Sequence, residues 1–98
     1  MEYIYSLEKI SEIIVPIARR CNIKKVAIFG SYARGDAHEA SDVDILYELK
    51  TKRDLDSLSD FIDNLDKSLY KNYDLVEYNN INKYMKNDIL DEAIVLYE

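Results

Sequence analysis

The sequence predicts a small α/β domain: a mixed sheet of three to four strands flanked by helices. Three observations carry this. Apolar residues recur at intervals of three and four in several segments, short β-branched and aromatic runs lie between those segments, and the two patterns alternate along the chain. Alternation of this kind packs helices against a sheet rather than helix on helix. At 98 residues the chain reads as one domain over residues 1–98, long enough to enclose one core.

The elements follow in order. From Ser6 to about Cys21, residues Leu7, Ile10, Ile14, Ile17 and Cys21 form one apolar face of a helix. Pro16 lies within it and removes a backbone donor, so a kink or a second helix is expected there, with Asn22 at the end. Lys25 to Phe29 (KVAIF) is a short run ending at Gly30 and reads as a buried strand. A turn, a short helix and a loop fill Gly30 to Ser41, and a second strand is expected from Asp42 to Leu49. Between Thr51 and Tyr70, residues Leu55, Leu58, Ile62, Leu65 and Leu69 are spaced as the buried face of an amphipathic helix. Tyr73 to Tyr78 (YDLVEY) reads as a third strand, Asn79 and Asn80 as a turn, and Ile81 to Glu92 as a helix. For IVLY, residues 94 to 97, periodicity leaves two readings, a helix end or a short edge strand.

Composition narrows the function. With 48% hydrophobic and 33% charged residues the chain is expected to be a soluble globular protein. No apolar stretch approaches the ~18 residues of a membrane span, and MEYIYSLEK lacks the basic start and apolar block of an export signal. One cysteine, Cys21, excludes an internal disulfide and fits a reducing cytoplasm, with the thiol buried on its helix. The formal charge of -6 argues against direct gripping of a nucleic-acid backbone, and fits a metal site or a basic protein partner. The nine tyrosines fit packed rings with wet hydroxyls and are assigned no role.

Both glycines of the chain, Gly30 and Gly35, fall in one turn. Residues 28 to 46 read IFGSYARGDAHEASDVDIL. A glycine at a strand end lets successive backbone N–H groups converge on an anion, phosphate especially, and the Ser31 hydroxyl adds a donor. Asp42 and Asp44 flank Val43, so a strand presents both carboxylates on one face with Cα atoms ~6.6 Å apart. Such a pair suits a hard cation that keeps water and phosphate as its other ligands. Two ions ~3.5–4 Å apart can steady the attacking and the leaving oxygen of an in-line displacement. A lone D-x-D is usually a cap beside a solvated neighbour; it is the conjunction with both glycines that points to a site. Gly30 and Gly35 also have P-loop spacing, but Asp36 and Ala37 stand where that motif needs lysine and a hydroxyl, which excludes a P-loop ATPase.

The run GSYARGDAHEASDVDIL resembles the signature of the DNA polymerase beta-like nucleotidyltransferase superfamily. Its ARG and the short spacing to SDVD resemble the minimal nucleotidyltransferases, many of them antitoxins encoded beside a HEPN-class ribonuclease toxin. The likeness extends over nearly the whole chain, to YDLVEY and ILDEAIVLYE. It implies the polymerase beta-like palm fold, with Gly30 and Ser31 holding the β- and γ-phosphates of ATP. Asp42 and Asp44 would ligate two Mg²⁺ ions, with Mn²⁺ the alternative. Asp74 would complete the metal site as the third carboxylate and orient or deprotonate the attacking hydroxyl; Glu77, the alternative, falls on the opposite face of the strand. Arg34 either neutralises phosphate or braces the loop in a salt bridge, and His38 reads as loop surface.

The function implied is transfer of AMP to a hydroxyl with release of pyrophosphate, the acceptor being a tyrosine of a cognate HEPN-type toxin. The chain would be the antitoxin of a type VII-like toxin–antitoxin pair, as a homo- or hetero-oligomer. The rivals are neutralisation by binding alone and transfer to a small molecule.

Overall fold

Ser6 caps the first helix: its hydroxyl accepts the Lys9 N–H at 3.0 Å, satisfying a donor that the first turn leaves free. The computed structural model that shows this describes residues 4–98. Helix α1 (Leu7–Arg20) buries Ile10, Ile14, Ile17 and Ala18, and Glu8 and the pair Arg19 and Arg20 complement the two ends of its dipole. It runs through Pro16 as one helix rather than two. Cys21 is the buried C-cap, where burial raises its thiol pKa, and Asn22 turns the chain with φ 61°.

The strand that follows starts earlier than its apolar run, as β1 (Ile23–Phe29), because Ile23 is fully buried opposite Leu49. A single-turn helix, α2 (Ser31–Arg34), leads through Gly35 into the loop before β2 (Val43–Leu49). Asp54 caps α3 (Leu55–Ser68), accepting the Ser57 N–H at 3.2 Å. The buried face of α3 keeps Leu65 and Leu69 of the expected set and adds Phe61. Phe61 and Leu65 are fully buried, whereas Leu55, the first residue of the helix, is 66% exposed.

Strand β3 (Tyr73–Glu77) is followed by a 3-10 turn, Tyr78–Asn80. Helix α4 is only Lys86–Glu92; Ile81 is buried but lies outside it. Residues 94 to 97 resolve as an edge strand, β4 (Ile94–Tyr97), antiparallel to β1. The mixed sheet has the order β3-β2-β1-β4, with β2 and β3 parallel and the other pairs antiparallel.

Period-two alternation divides the sheet between two layers. Val26, Ile28, Val43 and Ile45 face the main core under α1 and α3. Ala27, Leu46 and Val76 face a smaller cluster closed by Ile81 and Ile89 of the C-terminal segment. Among the described residues, no helix is long and apolar enough to cross a membrane.

Candidate active site

Asp44 lies two residues before Leu46, and Asp74 two before Val76. Both aspartates therefore continue the face that carries the smaller cluster, beyond its apolar floor. Strand register places Asp44 directly beside Asp74 across the parallel β2–β3 pair, and beside Phe29 across β1. Asp42 stands exposed one residue ahead of β2. Glu77 is instead level with Tyr47, an odd number of residues from Asp74 and so on the other face.

The Gly30 turn closes this end of the sheet. Gly30 has φ 74° and ψ -153°, a region reserved almost wholly for glycine. A Cβ there would lie 2.1 Å from Asp44 Oδ2. The Asp44 carboxylate is thus seated against the bare Cα of Gly30, and the absence of a side chain is what admits it. Gly35, with φ 87°, ends α2: its N–H donates to the Ser31 carbonyl at 3.0 Å, as does the Asp36 N–H at 3.1 Å.

Half-buried among like charges, Asp44 has its carboxyl pKa raised, first by burial and then by Asp74 and Asp42; Arg34 opposes the shift and Glu92 adds to it. Neighbouring carboxylates that raise the proton affinity of Asp44 are a donor set that a divalent cation would satisfy. Among the described residues, no three His, Cys, Asp or Glu groups stand already gathered as a cage. That is compatible with an ion of the Mg²⁺ type, which takes few protein oxygens and completes its shell with water and phosphate.

Arg34 forms the brace foreseen as one of its two readings. Its Nε donates to Asp36 Oδ2 at 3.2 Å and its Nη1 to Glu92 Oε2 at 3.2 Å. His38 is exposed in the tight turn before Asp42, its Nδ1 accepting the Ala40 N–H at 3.2 Å. Sequence reasoning missed Glu92, whose Oε1 accepts the Gly30 N–H at 2.9 Å. Its only sequence signal was its place in ILDEAIVLYE. On the other side of the carboxylates, an open cleft runs past the β3 edge, lined in part by Glu39, Asp42, Asp66, Tyr70, Lys71 and Asp74.

A strand-end glycine turn against paired strand carboxylates, on a four-stranded mixed sheet, defines the nucleotidyltransferase class of enzyme. Residues 8–98 match the family described as polymerase beta, nucleotidyltransferase, and the chain belongs to that family. A Methanocaldococcus jannaschii protein provisionally named a protein adenylyltransferase is 37% identical over 89 residues, spanning 91% of this chain and 96% of its own. A solved structure provisionally described as a minimal nucleotidyltransferase superposes with a TM-score of 0.74 at 29% identity, covering 92% of this chain and 95% of its own. The same fold occurs in a toxin–antitoxin crystal structure with AMP-PNP, at a TM-score of 0.71 and 21% identity, covering 89% of this chain and 72% of that one.

Proposed function

We propose that this chain, acting as a single domain, transfers AMP from ATP to a tyrosine hydroxyl of a HEPN-type toxin and so serves as the toxin's antitoxin in the cytoplasm. The observation that carries the transfer chemistry is the seating of Asp44 against Gly30 and beside Asp74. The choice of a protein acceptor is supported by the name of the Methanocaldococcus relative and by the toxin–antitoxin neighbour. The acidic charge of -6 suits a basic ribonuclease partner.

The proposed roles are those the family resemblance implies for these positions. Ser31 and the Gly30 turn receive the β- and γ-phosphates, with Arg34 at their flank. Asp42, Asp44 and Asp74 would hold two Mg²⁺ ions, or Mn²⁺, and such ions would supply charge neutralisation for the phosphates. Asp74 orients the acceptor hydroxyl and takes its proton. The acceptor oxygen bonds to the α-phosphorus while the bond from that phosphorus to the bridging oxygen breaks, and pyrophosphate leaves with the electron pair. In-line displacement needs the acceptor opposite the leaving group. With the phosphates on the β1 side, the acceptor enters from the β3 side, through the cleft of Glu39, Asp66 and Tyr70. That acidic lining favours a tyrosine on a basic segment.

The test is incubation with α-labelled ATP and Mg²⁺, with and without the product of the adjacent gene, using Asp44→Asn as control. Label on a partner tyrosine that is absent in the control supports the proposal. Neutralisation of the toxin that survives Asp42→Asn with Asp44→Asn would instead establish an antitoxin that works by contact alone.

A further inference from the structure

Glu92 closes α4, far along the chain from the Gly30–Asp44 segment, yet its two carboxylate oxygens serve that segment separately. One accepts the Gly30 N–H at 2.9 Å and the other the Arg34 guanidinium at 3.2 Å. Its side chain is 24% exposed against 49% for Arg34, so the bond to the turn lies on the more sheltered side. Asp36 holds the guanidinium from its Nε side at 3.2 Å. Arg34 is thereby fixed between two carboxylates while still reaching solvent.

We infer that Glu92 is a positioning residue: it locks the Gly30–Ser31 turn and aims Arg34 for the nucleotide phosphates without touching the nucleotide. This rests on the reading of that turn as the phosphate site. Three physical points support it. Glycine has the widest backbone freedom of any residue, so a Gly30 turn is held in one shape only by its contacts, and the Gly30–Glu92 bond supplies such a contact from a distant element. A further negative charge beside Asp42, Asp44 and Asp74 works against receiving a polyanion, unless it organises the cation that meets the polyanion. Finally, α4 leads through Ala93 directly into β4, which pairs with β1. The position of the carboxylate is therefore set by the sheet that also carries Gly30.

The test uses the full chain as wild type, Glu92→Ala and Glu92→Gln. It measures binding of ATP with Mg²⁺ by calorimetry, the KM for ATP against that for the acceptor, and the melting temperature. Glutamine keeps an oxygen for the Gly30 N–H but loses the charge facing Arg34. Expected are an approximately tenfold weaker ATP affinity for Glu92→Ala, equivalent to about 1.4 kcal/mol, and a parallel rise in the KM for ATP alone. Glu92→Gln should recover a substantial part of that loss. ATP binding unchanged or tighter in Glu92→Ala would overturn the inference, the carboxylate then being a bystander or a competitor of phosphate. So would equal losses in both variants that merely track a fall in melting temperature. Failure of the wild type to bind ATP would remove the reading of the turn itself, and the inference with it.

Discussion

Alanine at position 30 would place a methyl group where an oxygen already sits. The added Cβ lies 2.1 Å from Asp44 Oδ2, 3.1 Å from its Cγ and 3.4 Å from its Cβ. The first separation is impossible without movement, the second tight, and the third ordinary contact. The backbone conformation, φ 74° and ψ -153°, itself costs an alanine about 1–3 kcal/mol. Displacing a half-buried carboxylate adds to that, so the total is roughly 2–4 kcal/mol. For a domain of this size 1 kcal/mol corresponds to about 4–8 °C, and the melting temperature should fall by roughly 10–25 °C. Thermal melts followed by circular dichroism, alongside the α-labelled ATP assay, measure both consequences. Transfer should be lost, because Asp44 no longer stands level with Asp74. A double-mutant cycle with Asp44→Ala isolates the clash, since that change removes the two nearer atoms and leaves the one at ordinary distance. The pair should couple by at least about 1 kcal/mol, with the double variant less damaged than the sum of the singles. An additive cycle, or a Gly30→Ala protein that melts within about 2 °C of wild type, would refute the reasoning.

Three further outcomes are expected. Because the folded protein raises the Asp44 carboxyl pKa, ionised Asp44 opposes folding above that pKa, and the opposition fades as pH falls below it. Asp44→Asn should therefore stabilise the protein without metal by about 0.5–2 kcal/mol near neutral pH, with the gain shrinking in acid and transfer abolished; urea melts across the acid range measure it. The Tyr73 hydroxyl donates to Asp66 Oδ1 at 2.6 Å, and burial together with that carboxylate raises the Tyr73 pKa. Tyr73→Phe should cost about 1–2 kcal/mol, and alkaline melts should show it removing part of the stability that wild type loses once unfolded tyrosine ionises. Phe61→Ala should cost about 3–5 kcal/mol, whereas Leu55→Ala, at a residue 66% exposed, should stay within about 0.5 kcal/mol; comparable losses in denaturant titrations would contradict the packing of α3.

By itself, the chain determined whatever depends on local spacing. The i, i+3, i+4 pattern from Leu7 to Cys21 located α1, the KVAIF and YDLVEY runs located two strands, and glycine and aspartate spacing singled out Gly30, Ser31, Asp42 and Asp44. These were legible because a helix face, a strand face and a glycine turn are each set by neighbours a few residues away. Asp74 was picked out by resemblance, and strand parity separated it from Glu77. What tertiary structure alone decided involves partners far apart in the chain. IVLY became an edge strand because β1 offered its free edge, the same apolar run being compatible with a helix end. Phe61 displaced Leu55 from the core because the start of α3 depends on the Asp54 cap and on where the helix crosses the sheet. Glu92 reached Gly30 only once α4 and β4 had folded back against β1, a separation of 62 residues that no local period encodes.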